Sequence, residues 1–442
     1  MTSIVETGPT ADRIETLDVL RGVALFGILL MNVTGMGLPD AYANPANAGG
    51  AEGANLWAWI VTEVGFEGTQ RALFSMLFGA SVVLFMTRLE GSGRRDAGDI
   101  YVRRNLWLVA FGMVNAFILL WSGDILYMYG IIALVVVPFR TLGTRALLAI
   151  GVAGLLLGAA WTGKETWQNL ETYAAYEQAV AEQPDPEERT AAQEEAVAGW
   201  EGLAGDYVST PGEVAETIAH HTSGYGEAFL SLAHESSGWH GWGTYRYFFD
   251  VFGMMLIGMA LFKGGVLTLA RPVWLYWAMM IVGYAIGLTV NIAEVRWLID
   301  HQFSAVAFVQ VAPSYDLGRL AMTLGHVGAL LLFVRSGILG WLRRSLAAVG
   351  QMAVTNYLAH SLIALIVFIL FAQFGQWERH QLYYYVLAIW VAQLILSPLW
   401  LRHFRFGPVE WLWRWLTYLK RPPMRRASAA SADPAPTPGK QG

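Results

Sequence analysis

The sequence predicts an all-α fold, a polytopic transmembrane bundle of about ten helices with a small helical cap outside the membrane. Three observations lead there. Hydrophobic residues make up 55% of the 442 positions and charged residues only 14%. Apolar runs of roughly twenty residues, the thickness of the bilayer hydrocarbon, recur along the chain. Lipid offers the backbone no hydrogen-bonding partner, so each such run is expected to be a helix. The third observation is that the 29 Lys and Arg residues fall mostly in every second loop.

The first five spans are expected near 17–37, 69–88, 105–122, 124–139 and 144–161, making residues 1–161 the first half of the bundle. The first run follows an acidic start and lacks a small-residue cleavage site, so it reads as a retained anchor. The stretch 54–66 is apolar and rich in Trp, and is expected as an interfacial or re-entrant helix. Residues 162–244 form an acidic extracytoplasmic loop or cap, with fifteen acidic residues against Lys164 and Arg189. Asp185-Pro186-Glu187-Glu188 reads as a helix start, and Trp167, Leu170 and Ala174 as a buried stripe. The second half, 245–405, holds spans near 245–262, 273–292, 317–335, 346–371 and 381–402. Residues 406–420 read as an amphipathic helix lying in the interface. The Pro, Ala and Ser of 421–442 read as a disordered cytoplasmic tail.

Ten spans place 22 Lys and Arg on one side and 6 on the other, with Arg319 inside a span. The positive-inside rule then puts both termini on the cytoplasmic side of the membrane. The absence of Cys excludes disulfides and thiol chemistry. Neither a phosphate-binding loop nor a nucleic-acid pattern is present. Glu216 and His220 are one turn apart near His221, His234, His240 and Glu235, but the spacing fits no metal motif, and no metal site is expected.

Any chemistry must then come from the polar groups inside the membrane, which are costly there and face the bundle interior. On the first helix Arg21 and Asn32, eleven positions apart, share a face, with Asp18 one turn before Arg21. Arg319 and His326 share a face of the eighth span, with Asp316 placed to pair with Arg319. Asn356 and His360 share a face of the ninth. Toward the outer side lie Glu63, Glu67, Arg71, Asp124, Arg246 and Asp250, with Glu67–Arg71 and Arg246–Asp250 at ion-pair spacing. Asp18, Arg21, Asn32, Glu67, Arg71, Arg319 and Asn356 are candidates for binding a substrate, and His326 and His360 for proton relay or general base. Each also has a plain structural reading, as an ion pair or as a neutral His donating to a carbonyl.

Four stretches resemble a known family. They are Arg13-Ile-Glu-Thr-Leu-Asp-Val-Leu-Arg-Gly-Val-Ala-Leu-Phe-Gly-Ile-Leu-Leu-Met-Asn32, Leu73-Phe-Ser-Met-Leu-Phe-Gly79, Gly350-Gln-Met-Ala-Val-Thr-Asn-Tyr-Leu-Ala-His-Ser361, and Phe406-Gly-Pro-Val-Glu-Trp411 with Trp413-Arg414. This combination resembles the YeiB-like family of bacterial inner-membrane proteins. The resemblance implies about ten helices and transport-related handling of a small polar or anionic solute. The first helix is also distantly similar to that of membrane acyltransferases, through Leu17-Asp18-x-Leu20-Arg21-Gly22. That similarity implies an alternative in which Arg21 binds a phosphate of acyl-coenzyme A and the acyl group passes to an outer or lipid acceptor. The acyltransferase pattern has a His eleven residues after the motif Arg. Asn32 stands there in this chain, so His326 and His360 would be its buried bases. The expected partners are the lipid bilayer and a small molecule.

Overall fold

The computed structural model describes residues 14–426. Arg13, and the expected tail from 427 onward, lie outside the described residues. The fold is helical throughout. α1 (Glu15–Gly37) crosses the bundle, and a turn-rich loop leads to α2 (Gly53–Phe66). α2 runs into α3 (Thr69–Gly91) across Glu67 and Gly68. Gly68 has φ of +64°, a left-handed conformation natural to glycine. The stretch expected as interfacial or re-entrant is thus the first part of a 39-residue apolar run, Gly53–Gly91.

α4 (Ala97–Phe117), α5 (Leu126–Val136, with a closing turn to Thr141) and α6 (Thr144–Glu182) complete the first half. α6 does not stop near 161. It continues outward without a break, so the cap begins as an extension of a membrane helix. α7 (Ala191–Ala204), α8 (Pro211–Thr222) and α9 (Tyr225–Gly238) build the rest of the cap, and α7 and α8 each start on a Thr capping box. The expected helix start at Asp185 is only a single turn, Pro186–Glu188. The expected stripe differs as well. Trp167 and Ala174 are exposed, and Leu170 instead joins Tyr173 and Tyr176 around Trp200.

A π-helical turn (Trp239–Gly243) and the short α10 (Thr244–Arg246) lead into α11 (Phe248–Lys263). The chain bends by 61° there. α12 (Val273–Asp300) and α13 (Ala305–Ser336) form a hairpin. The span expected at 346–371 is broken at Met352 into α14 (Gly340–Gln351) and α15 (Ala353–Ala364), which ends in a π-helical turn, Leu365–Leu370. α16 (Arg379–His403) and α17 (Pro408–Tyr418) finish the fold. Residues 421–426, expected as disordered tail, turn back instead. Arg405 donates its N–H to the Met424 carbonyl at 2.9 Å, and Arg426 donates to His403 at 3.0 Å.

Among the described residues, seven helices or joined helices are long and apolar enough to cross a bilayer, and an eighth if the bent pair ending in α11 is one span. This is a membrane protein. α4 falls outside that set, and α5 with its closing turn is a shorter apolar helix. All ten expected spans are nonetheless helical. Glycine sets how closely some of them pack. A Cβ on Gly79 would overlap the Met255 carbonyl, and one on Gly258 would overlap the Met76 carbonyl, so α3 and α11 meet backbone to backbone. Gly22 and Gly350 do the same for α1 and α14.

The two ends of the bundle differ. At one end the start of α1 meets α14, with Arg343 reaching Glu15 at 3.6 Å, and α17 lies against the start of α4. The cap sits at the other end. There Tyr225 donates to the Ile118 carbonyl at 3.0 Å, and Asn44 and Asn47 both donate to the Tyr207 carbonyl, at 2.9 and 3.1 Å.

Candidate functional site

The densest group of charges lies in the outer half of the bundle, where α3, α11 and α13 meet. Arg319 is 2% exposed and makes three charge-assisted hydrogen bonds. Two reach Asp250, at 2.8 and 2.6 Å, and one reaches Asp316 at 2.7 Å. The fork of a guanidinium matches a carboxylate in this way, and pairing is what makes such burial tolerable. Arg71 shares Asp250 more loosely, at 3.6 Å, and lies 5.1 Å over the Tyr247 ring. Glu67 makes no ion pair with Arg71. Its two oxygens accept from Tyr315 at 3.0 Å and Tyr42 at 3.1 Å.

The expected Arg319–Asp316 pair is therefore present, while two others are replaced. Asp250 pairs with Arg319 and Arg71 rather than Arg246. Arg246 binds Glu165 on the extension of α6, at 2.6 Å, together with the Thr162 hydroxyl. Asp124 is fully buried and accepts from Asn115 and from the backbone of Tyr127.

Beneath the cap lies a cavity of about 620 Å³. Its walls come from the outer ends of α1 and α15, the loop before α5, and the cap. Asp40, Asp206, Glu213 and Glu235 line it, without any Lys or Arg. Glu213 is spent on capping α8, Asp40 accepts from Ser209 at 3.0 Å, and Glu235 accepts from Ser122 at 2.7 Å. His221 lines it too, stacked on Phe374 at 4.2 Å, and burial lowers its pKa from the ordinary histidine value. The π-helical turn after α15 contributes Leu365 and Ile369 to the wall. Tyr42 lines the cavity as well, so its hydroxyl links the cavity to Glu67.

The sequence singled out Glu67, Arg71 and Arg319, and the fold brings them together. The others lie elsewhere. His326 has both ring nitrogens engaged: one faces the Gly65 carbonyl at 2.8 Å and the other the Tyr284 hydroxyl at 2.9 Å. Its Nε2 therefore carries the proton, and its Nδ1 accepts. His360 is 1% exposed, with Nε2 accepting from Gln393 at 2.8 Å. Asn356 donates to Ser397 and to the Val349 carbonyl. These two residues thus join α15 to α16, and neither lines the outer cavity. Arg21 and Asp18 pair at 2.9 Å, as expected, near the opposite end of the bundle, and Arg21 also donates to Ser81 at 3.0 Å. Asn32 is half-buried, with no hydrogen bond among the described residues.

Sequence reasoning missed Tyr42, Tyr315 and the carboxylates of the cavity wall. Tyr315 could have been found from its place beside Asp316, four positions before Arg319. Nothing local marks Tyr42 or Asp40. Among the described residues no three His, Asp or Glu side chains are grouped to hold a metal ion.

Comparison with known proteins agrees in extent with the whole bundle. A family model described as "protein of unknown function (DUF418)" matches residues 261–420. The chain is 31% identical to the uncharacterised protein YeiB of Escherichia coli over 429 residues, covering 92% of this chain and 96% of that one. It is 29% identical to the uncharacterised protein YxaH of Bacillus subtilis, covering 94% and 97%. An uncharacterised 39.9 kDa protein from the amylase 3′ region of Bacillus acidopullulyticus is 26% identical, covering 93% and 96%. No solved structure matches. Similarity at this level along nearly the full length of both chains means that this protein belongs to the YeiB family.

Proposed function

We propose that this is a multi-pass protein of the bacterial inner membrane, with both termini cytoplasmic, that takes part in moving a small polar solute through the capped outer cavity. The bias of basic residues supports the orientation. Having α17 and the start of α1 at the end opposite the acidic cap fits it too. One observation carries the solute reading: Tyr42 both lines the cavity and donates to Glu67, so a solute that displaces this contact acts directly on the buried charges. A cavity of this size suits a small molecule. Four carboxylates without an opposing Lys or Arg favour a solute rich in hydrogen-bond donors, or a cationic one, over an anion.

Acyl transfer draws no support from these contacts. Arg21 is taken up by Asp18 and Ser81, and the two histidines are held by neighbouring helices.

The test is solute-driven charge movement in proteoliposomes, using a panel of amino acids, polyols and small amines. At least one panel member should give a saturable signal. Tyr42→Phe should weaken it about 10- to 100-fold, the worth of one hydrogen bond to a carboxylate. Silence across the panel, or a signal indifferent to Tyr42→Phe, Asp40→Asn and Glu235→Gln, would rule the reading out.

A further inference from the structure

The lining of the capped cavity changes with depth. Gly37 of α1 sets a level. A Cβ there would stand 3.1 Å from the Phe368 ring, so Gly37 and Phe368 lie side by side. Asp40 follows Gly37 by three residues, in the loop at the outer end of α1, and is exposed. Ser361 precedes Phe368 by seven residues on the other side of the same level. That is two turns of α15, or about 10 Å deeper in the bundle. The cavity reaches both Asp40 and Ser361.

At the outer end two carboxylates face each other. Asp40 and Glu235 are close enough for the charge of one to oppose the charge of the other. Each is held by a hydroxyl, Asp40 by Ser209 at 3.0 Å and Glu235 by Ser122 at 2.7 Å. These bonds fix the carboxylates without neutralising them, and no Lys or Arg of the described residues lines the cavity. Two aromatic rings stand beside them. Trp121 precedes Ser122, and Tyr42 follows Asp40 by two residues. A Cβ on Gly35 would lie 3.4 Å from the Trp121 ring and 3.8 Å from the Tyr42 ring, so both rings close over Gly35. The bond from Tyr42 to Glu67 keeps its ring in place. Carboxylates supply counter-charge to an ammonium group, and aromatic rings attract its alkyl-ammonium surface.

The deeper part has a different character. Leu120, Leu232, Leu365 and Ile369 pack as one apolar cluster along the wall. One turn below Leu365, Ser361 is 1% exposed, and its Oγ has no hydrogen-bond partner among the described residues. A buried hydroxyl left without a partner is costly, so a group that enters the cavity and bonds to it gains affinity. Counter-charge, apolar wall and free hydroxyl thus follow one another along a single path.

We propose that the cavity binds an organic ammonium ion with a short apolar body and a neutral hydrogen-bonding group at its far end. The ammonium group lies at Asp40 and Glu235, beside Tyr42 and Trp121. The body runs along Leu365, and the far group bonds to Ser361. This names the class of solute and rests on the reading of the cavity as the solute's site, although binding is measurable without transport.

The test is isothermal titration calorimetry of the full chain in dodecyl maltoside at neutral pH, with 5-aminopentan-1-ol, pentylamine and pentane-1,5-diol as probes. The amino alcohol should bind saturably. Pentylamine, which lacks the far hydroxyl, should bind severalfold more weakly, and the uncharged diol at least about tenfold more weakly. Asp40→Asn, Glu235→Gln and Trp121→Leu should each weaken the amino alcohol about tenfold. Ser361→Ala should remove its advantage over pentylamine and leave pentylamine unchanged. Glu201→Gln, the matched loss of one exposed carboxylate elsewhere on the cap, should change nothing. Size-exclusion elution would show that each variant is folded, and the comparison of probes on the wild type needs no variant. Equal binding of the diol, or indifference to both Asp40→Asn and Glu235→Gln, would overturn the ammonium assignment. An amino-alcohol preference that survives Ser361→Ala would overturn the placement of its far end. Charge movement driven by a polyol, with no amine bound, would overturn this solute class alone. Amine binding without any charge movement would overturn the transport reading alone and support the site.

Discussion

Arg319→Ala is the substitution whose cost follows most directly from the structure. The side chain is 2% exposed and supplies three charge-assisted hydrogen bonds, of 2.8, 2.6 and 2.7 Å. Removing it strands two carboxylates. Asp250 keeps only Arg71 at 3.6 Å, and Asp316 keeps no cation among the described residues. Breaking a buried pair in this way costs about 3–5 kcal/mol, chiefly because charge is left uncompensated. That is about a 10²- to 4 × 10³-fold drop in the folding equilibrium. Asp250→Asn should cost less, about 1–3 kcal/mol, because Arg319 retains Asp316 and an amide oxygen can still accept one bond. Unfolding in mixed micelles by sodium dodecyl sulfate, followed by circular dichroism, measures both. The combination Asp250→Asn with Arg319→Gln should cost clearly less than the sum of the single changes, since the residues share the same bonds. Stability of Arg319→Ala within about 0.5 kcal/mol of wild type would refute the reasoning, because a surface-like residue shows changes of that size. So would an Asp250→Asn variant less stable than Arg319→Ala.

Two further outcomes follow. Gly258→Leu puts its Cβ into the Met76 carbonyl, so α3 and α11 must separate. Fluorescence-detected size exclusion should show at least a severalfold loss of monodisperse protein, while Gly163→Leu, where a Cβ meets open space, should elute unchanged. His221 has a lowered pKa because burial disfavours its charged form. A depressed histidine pKa means that the unfolded cap binds the proton first. The stability it contributes is complete above about pH 6.5 and declines as pH falls toward the folded-state value. Hydrogen exchange of α8 amides, corrected for intrinsic rates, should therefore accelerate between pH 7.5 and 5.5. His221→Phe, which keeps the stack on Phe374, should flatten that response, and an unchanged response would exclude His221 as its source.

The helices were legible because their evidence is local: a continuous apolar run has one solution in lipid whatever it packs against. The exceptions occur where a long-range contact decides. Nothing within 144–161 says that α6 continues to Glu182. Beyond the membrane it is sustained by Leu170, Tyr173 and Tyr176 packing around Trp200, a residue of the next helix. Residues 421–426 have the composition of a disordered tail, yet backbone bonds to His403 and Arg405 and the Trp411 indole N–H on the Pro422 carbonyl hold them. The break at Met352 separates two helices that hydropathy alone joins. Here Glu410 of α17 accepts from the backbone N–H groups of Val354 and Thr355, at 2.7 and 3.0 Å, and so satisfies the start of α15 from outside its own segment.

The ion pairs show why the candidate site was only half legible. Spacing of three or four residues placed Asp18 with Arg21 and Asp316 with Arg319, and both pairs form. The same rule placed Glu67 with Arg71 and Arg246 with Asp250, and neither forms. Helical spacing states which partners are within reach, but it does not rank them against partners on other helices. Asp250 faces a buried guanidinium on α13 that has no water to fall back on, and that demand outweighs an Arg246 able to reach Glu165 near the cap. Glu67 sits where α2 breaks into α3, and the turn aims it at Tyr42 and Tyr315, away from its own helix. Local spacing therefore predicts a pair reliably only where no desolvated charge on a neighbouring helix competes for the same carboxylate. In this bundle that condition fails where the helices converge beneath the cap.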